Sequence, residues 1–303
     1  MAARSPLLLT GASGMVGSAL YRDQLHSFRC TLIGSQSRPP PVRRGDSFHR
    51  RDFSTPGAAR ALVESVEPEV VFHAAAISSV GVCESEPDRS RAVNVAATRE
   101  LARACAEQGA YLVFCSTDQV FDGECAPYGE TAPVSPLTAY GRQKAEAEQV
   151  VLEEGRDALV LRLALVLGRS PSGTAGAVDM LRPRPDQGTV GLFEDEWRTP
   201  ITVGCLGRLV NGLFESRPRG ILNAGGADRI QRLALGQEIC QAFGWQVSLE
   251  GRSRQAMPYP RPEDVSFGLD RRRELGLPLP DPLVEALARL AGEVGKPEGG
   301  EQG

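Results

Sequence analysis

Tyr140 and Lys144 stand four residues apart in the stretch AYGRQK. That spacing puts two side chains on one face of a helix. A phenol so placed can give a proton to a developing alkoxide, but an ordinary tyrosine, with a pKa of about 10, is a poor proton shuttle at neutral pH. A lysine ammonium on the same face is expected to lower the phenol's pKa. Upstream, LVFCSTDQVF ends an apolar run on two hydroxyls, Ser116 and Thr117. A hydroxyl at the carboxyl end of a parallel strand can hydrogen-bond a substrate carbonyl and orient it beside the tyrosine. An isolated Tyr-x-x-x-Lys is common on solvated helix faces, so the weight lies in the order of glycine turn, strand-end hydroxyl and helix along one chain.

The glycine turn is LLLTGASGMVGSAL (7–20), where an apolar run meets Gly11, Gly14 and Gly17 at intervals of three. In a strand-turn-helix the first glycine makes the tight turn, the second lets the backbone approach a pyrophosphate, and the third lets helix pack on strand. The helix N-terminus then offers bare N–H groups and the positive dipole end to the phosphates. The spacing is GxxGxxG rather than GxGxxG. The required context, a strand before and a helix after, is met. A dinucleotide is the expected ligand, and Lys144 is then also placed to hold its nicotinamide ribose. An acidic residue after the second strand would select NAD by its ribose. Here GSQSRPPP (34–41) has no carboxylate. Ser35, Ser37 and Arg38, with Arg43 and Arg44 close by, suit a 2′-phosphate, so NADP(H) is expected in preference to NAD(H). A solvated loop is the plainer alternative. Asp52 either meets the adenine edge or caps its own loop.

These groups need a frame, and the chain supplies one by alternation. Strands are expected at 6–10, 30–34, 69–76, 110–117, 158–168 and 221–226, and helices at 14–25, 56–68, 89–109, 137–155 and 234–244. Apolar runs without alternation read as buried parallel strands, and β-α-β-α order implies an α/β, doubly wound parallel Rossmann sheet. Residues 169–200 are rich in Gly, Pro and charge, as functional or mobile segments often are, and 256–294 alternates proline-rich turns with short helices. The expected division is a dinucleotide-binding domain over 1–168 plus about 201–226, a smaller mixed substrate-binding portion over 169–200 and 227–294, and a frayed tail at 295–303.

Composition bounds the rest. The chain has 303 residues, 41% hydrophobic and 24% charged, with a formal net charge of -4. No basic stripe suits nucleic acid or an anionic membrane, and no apolar segment approaches the ~18 residues of a membrane span. No secretion signal is recognisable. Seven cysteines without a CxxC pair suggest reduced thiols in a cytoplasmic protein rather than disulfides or a zinc site. A homodimer is compatible with all of this.

The motifs TGASGMVG, HAAA, AVNVAAT, FCSTDQVFDG, YGRQK and VLRLALVLG, followed by RTPITV and RPEDVSFGLDRRRELG, resemble an extended short-chain dehydrogenase/reductase over nearly the whole chain. The closest subgroup is the dTDP-4-dehydrorhamnose reductase-like proteins, in which STDYVFDG precedes YxxxK. By that resemblance Thr117 polarises a keto group, Tyr140 is the general acid, Lys144 binds ribose and tunes Tyr140, and Asn94 supports a proton-relay water. Hydride passes from nicotinamide C4 to the C4 ketone of a nucleotide-linked sugar. The resemblance implies a cofactor site of Gly11, Ser13, Gly14, Met15, Val16, Gly17, Ser35, Arg38, Asp52, Phe53, Ala74, Ala75 and Ala76 with Tyr140 and Lys144. It implies substrate contacts from Ser78, Thr117, Asp118, Gln119, Leu165 and Arg198. Gln119 departs from the subgroup's Tyr, Leu165 from its Trp, and AAISSVGVCESEPD (74–88) from its AAYTAVDKAE.

Other features have plainer readings. His73 is expected to be a satisfied core histidine. Glu194, Asp195 and Glu196 of LFEDEWR could attract Mg²⁺, but a solvated hairpin is the better expectation, and no metal is assigned. Arg162 and Arg198 either bind a substrate pyrophosphate or pair with a carboxylate inside the fold. The competing functions are an epimerase or dehydratase, for which Asp118 is suggestive and Gln119 is not, and a non-catalytic regulatory subunit like the partner of methionine adenosyltransferase.

Overall fold

In the computed structural model, residues 5–34, 41–173 and 176–294 are described. The apolar runs of the sequence form one sheet. Its strands are β1 (Ser5–Thr10), β2 (Phe28–Gly34), β3 (Ser47–Arg50), β4 (Val70–His73), β5 (Tyr111–Thr117), β6 (Ala158–Leu163) and β7 (Gly220–Ala224). They lie in the order β7-β6-β5-β4-β1-β2-β3, every pair parallel. The main helices are α1 (Met15–Asp23), α2 (Ala58–Val66), α3 (Ala97–Gln108), α4 (Ala139–Glu154), α5 (Val203–Ser216), α6 (Arg232–Phe243) and α7 (Leu283–Val294). Alternate residues of β1, β4, β5 and β6 enter opposite cores: Leu7, Leu9, Phe72, Val113 and Leu161 one, Leu8, Val71, Leu112 and Val160 the other. A sheet covered on both faces is what unalternating strands require. Chain order reverses between β1 and β4, and a crevice at such a point is where ligands bind.

The helix expected over 89–109 is present and starts two residues earlier, running without a break through Pro87–Arg91, a π-helical segment at Ala92–Ala96 and α3 to a C-cap at Gly109, left-handed at φ 73°. Such π-segments often re-aim a functional side chain. Three elements differ from the sequence expectation. The strand expected over 158–168 ends at Leu163, and Val166–Leu167 pairs with Ile201–Thr202 outside the sheet. β3 was not expected, because SFHR is a half-exposed edge. Nor was α5, whose Gly204, Gly207 and Gly212 weaken helix propensity; burial of Val203, Leu206, Leu209, Val210 and Leu213 overrides it.

The stretch from 169 to 200 contains the helical turn Ala177–Leu181 and two short strands. Val190–Phe193 pairs in parallel with Leu249–Arg252, and Trp197–Arg198 pairs antiparallel with Ile230–Gln231. All seven cysteines are free, and among the described residues no helix is long and apolar enough to cross a membrane.

Candidate active site

The glycine turn follows the geometry its spacing implies. Gly11 has φ 72°, and a Cβ there would lie 2.6 Å from the Ala74 carbonyl carbon. The turn after β1 and the Ala74–Ala76 segment after β4 can therefore touch only through glycine. A Cβ on Gly17 would lie 2.4 Å from the Gly11 oxygen, so α1 starts directly on the turn. Gly14 is the exposed N-cap of α1, with no side-chain cap and no acidic residue in the first turn. An uncapped helix N-terminus beside a switch point fits a dinucleotide's phosphates. Ser13 is buried over Gly34, and Met15 approaches Gly176. Val16 is half-buried against the core.

The catalytic candidates converge at the carboxyl end of β5. Thr117 N-caps the 3-10 turn Asp118–Val120; its hydroxyl accepts from Gln119 N and donates to Asp118 Oδ1 at 3.1 Å. Thr138 caps α4 by accepting from Gly141 N. Tyr140 and Lys144 are both buried on α4. The Lys144 Nζ lies 3.9 Å from the centroid of the Phe114 ring. Burial and the nearby Asp118 charge push the Tyr140 phenol above its ordinary value, with hydrogen bonding from Thr117 opposing them. The expected acidification by Lys144 is not found. Burial also pushes Lys144 itself down to about 8, so both partners are perturbed by desolvation and each favours its neutral form.

A directed chain of hydrogen bonds links the ends of β1 and β4 to Asn94. Ala75 N–H donates to Thr10 Oγ1 at 3.2 Å, and Thr10 lies 2.7 Å from His73 Nδ1. His73 Nε2 lies 3.1 Å from Thr98 Oγ1, which donates to the Asn94 carbonyl at 2.9 Å. Because Thr98 spends its proton on Asn94, it accepts from His73 Nε2–H, and His73 Nδ1 accepts from Thr10. Burial holds the imidazole down to about 3, so it is the satisfied, neutral core histidine expected. The Asn94 side chain grips both backbone groups of Ile77, and its Nδ2 donates to Gln143 Oε1 at 2.8 Å. Asn94 thereby ties the loop after β4 to α4.

The side expected to meet the substrate is charged. Arg198 is buried, its Nη2 2.5 Å from Glu196, its Nε 3.6 Å from Asp118 and its Nη1 on Trp197 O at 2.7 Å. Arg261 forks onto Glu196 at 2.8 and 3.0 Å. Burial raises Glu196, but Arg261 and Arg198 outweigh it and hold the carboxyl below its usual range. Burial keeps Asp118 above its usual range despite Arg198. Half-buried Arg232 is pushed down to about 10 by burial. Arg198, Arg261, Gln119, Thr138 and Tyr259 line a pocket of about 250 Å³.

Several expected residues are placed elsewhere. Arg162 takes the internal alternative: it is buried and bidentate on Glu148, which also accepts from Ser116 at 2.5 Å. Thr117, not Ser116, is therefore the hydroxyl facing the tyrosine. Asp52 is exposed and caps Ser54, and Phe53 is core, edge-on to His73. Leu165 packs against the main core and Ser78 is exposed. Arg43 stacks on Tyr21 and pairs with Asp46, so it is structural. Ser35, Ser37 and Arg38 lie outside the described residues. Asp195 binds Ser253 and Arg254 while Glu196 turns to the arginines, so the acidic run does not converge. The sequence reading missed Gln143 and Glu148. Glu148 continues the Tyr140–Lys144 spacing by four and was detectable from it.

Comparison with known proteins gives the family. The chain is 32% identical over 296 residues to the dTDP-4-dehydrorhamnose reductase of Mycolicibacterium smegmatis, covering 94% of this chain and 86% of that one. It is 33% identical over 243 residues to methionine adenosyltransferase 2 subunit beta of Xenopus laevis, covering 78% and 71%. The crystal structure of dTDP-4-dehydrorhamnose reductase from Bacillus anthracis in complex with NADP superposes with a TM-score of 0.82 at 21% identity, covering 96% and 99%. Residues 5–293 match the RmlD substrate binding domain, and the chain belongs to that family, within the extended short-chain dehydrogenase/reductases.

Proposed function

We propose that this protein is an NADP(H)-dependent reductase of a keto group on a nucleotide-linked sugar, with NAD(H) the weaker cofactor. The observation that carries the reading is the burial of Thr117, Tyr140 and Lys144 together at the sheet's carboxyl edge, beside an uncapped glycine-rich helix N-terminus. A nicotinamide nucleotide would supply the hydride. Gly11, Gly14 and the first turn of α1 hold its diphosphate, and Lys144 holds its ribose. Thr117 orients the carbonyl, and Tyr140 gives its proton to the oxygen as negative charge develops there. Segments 169–200 and 227–294 supply the substrate side. The similarity to the Mycolicibacterium smegmatis reductase supports the reaction class.

An NADPH-oxidation screen over 4-keto and 3-keto nucleotide sugars tests the reading: turnover with at least one is expected, and none with any overturns it. Tyr140→Phe is expected to cut turnover by about 10²–10⁴ with NADPH affinity nearly unchanged; equal loss of both contradicts the assigned role. Arg38→Ala is expected to weaken NADPH far more than NADH, and parallel losses would refute the cofactor preference.

One other reading has an observation behind it. The similarity to methionine adenosyltransferase 2 subunit beta favours a nucleotide-binding partner subunit. A stoichiometric enzyme captured from the host, with no NADPH oxidation, would select that reading. An epimerase or dehydratase is less supported, because Gln119 stands where a second carboxylate is needed and Asp118 is engaged by Arg198.

A further inference from the structure

We propose that Glu196 is a specificity-determining residue, which sets the charge of the substrate group this site accepts by competing with the substrate's phosphates for Arg198 and Arg261. The proposal rests on the reading above, that the substrate carries a diphosphate. Arg198 and Arg261 line the pocket next to Gln119 and Thr138, and are the natural cations for such a group. Neither is free to act as one. Arg198 is committed at each nitrogen: Nη2 to Glu196, Nη1 to Trp197 O, and Nε toward Asp118. Arg261 gives Glu196 the two-pronged hydrogen bond that a phosphate would otherwise receive.

Glu196 is 1% exposed and sits among Arg198, Arg232 and Arg261, with Asp118 the other carboxylate facing the group. Three cations against two anions leave one positive charge, while a diphosphate diester brings two negative ones. In a poorly solvated site, the carboxylate and both phosphates cannot share the same donors without strong repulsion. The pocket's ~250 Å³ is also below the ~300–1,000 Å³ usual for a drug-sized ligand. Diphosphate binding therefore requires Glu196 to give up its arginines, and that exchange weakens doubly charged ligands selectively.

The test compares the wild-type protein with Glu196→Gln, using Glu250→Gln as a control, since Glu250 pairs with Arg252 at the exposed surface. Thymidine diphosphate, inorganic pyrophosphate and thymidine are titrated by calorimetry. In E196Q the arginines lose their buried counter-charge. Thymidine diphosphate and pyrophosphate are expected to bind at least about tenfold more tightly. Thymidine should be unchanged, and E250Q should match the wild type. The unfolding midpoint of E196Q is expected to fall and to be restored by pyrophosphate more than the wild type's is raised. Equal or weaker diphosphate binding by folded E196Q overturns the proposal. If E196Q does not fold in plain buffer, refolding with pyrophosphate but not with thymidine supports the proposal, and no recovery with pyrophosphate overturns it. The two readings fail separately. Turnover of a keto sugar with equal diphosphate affinities removes the role of Glu196 and keeps the reaction. A tenfold affinity ratio without any turnover keeps the role of Glu196 and removes the reaction.

Discussion

Lys144 is a residue whose chemistry is changed by where it is buried. Its ammonium is buried over an aromatic ring, and its value falls from 10.5 to about 8. Because the native state holds the proton less tightly than the unfolded chain, stability rises with pH between about 8 and 10.5. It is lost as pH falls through 8. At 1.36 kcal/mol per pH unit, the charge costs about 3 kcal/mol at neutral pH. Lys144→Met is therefore expected to unfold at a higher denaturant midpoint than the wild type at pH 7, with the gain gone by pH 10.5. A variant less stable at both pH values would show that the lysine's packing outweighs its charge. The position favours an apolar residue, and the sequence has a lysine, as the proposed ribose-binding role would require.

At the scale of elements, the site depends on how closely α4 approaches the turn after β5. A Cβ on Gly141 would lie 2.4 Å from the Gln119 carbonyl oxygen and 2.9 Å from Pro136. Gly141→Ala must push α4 away, shifting Tyr140 relative to Thr117, which the same turn carries. Expected are a destabilisation of about 1–3 kcal/mol and a fall in kcat much larger than any change in NADPH affinity, measured by single-turnover kinetics and cofactor titration. Removing the cap with Thr138→Ala should cost about 1 kcal/mol without moving the helix, so the pair separates position from stability. The chain from Thr10 through His73 and Thr98 to Asn94 joins β1, β4 and α3 in the same way. His73 stays neutral down to about 3, against 6.5 in the unfolded chain, so it contributes stability that is lost as pH falls through that window. The acid limb of the unfolding curve between pH 6.5 and 3 should be flatter in His73→Gln than in the wild type.

Across the whole molecule, a buried ion pair ties together the elements that carry the candidate site. Arg162 of β6 holds Glu148 of α4, which receives Ser116 of β5, and Arg162 also donates to the Glu130 carbonyl. The Glu130 side chain accepts from Asn223 N on β7. Three strands and one helix are thus locked through a single ion pair whose members are 2% and 4% exposed. Glu148→Ala alone strands a guanidinium and is expected to cost about 3–5 kcal/mol, whereas Arg162→Met with Glu148→Leu should cost much less, by the general behaviour of buried pairs. Chemical denaturation of the two variants checks this. A double variant as unstable as the single one would mean that the network's hydrogen bonds, not the uncompensated charge, carry the energy.

The parallel sheet, the glycine turn and the order of hydroxyl, phenol and ammonium were legible along the chain. These are local patterns: an apolar run, a strand-turn-helix and a spacing of four each act over a few residues, and backbone geometry alone turns them into structure. Where local signals were weak, as in the glycine-containing α5 or the polar edge β3, burial against distant residues formed the element. Long-range packing chose which carboxylate each arginine meets, since Glu196 and Arg261 lie 65 residues apart and Arg162 could have faced either the pocket or the core. It also decided the proton affinities of Tyr140 and Lys144, because desolvation depends on everything packed around a group, and no spacing along the chain encodes that.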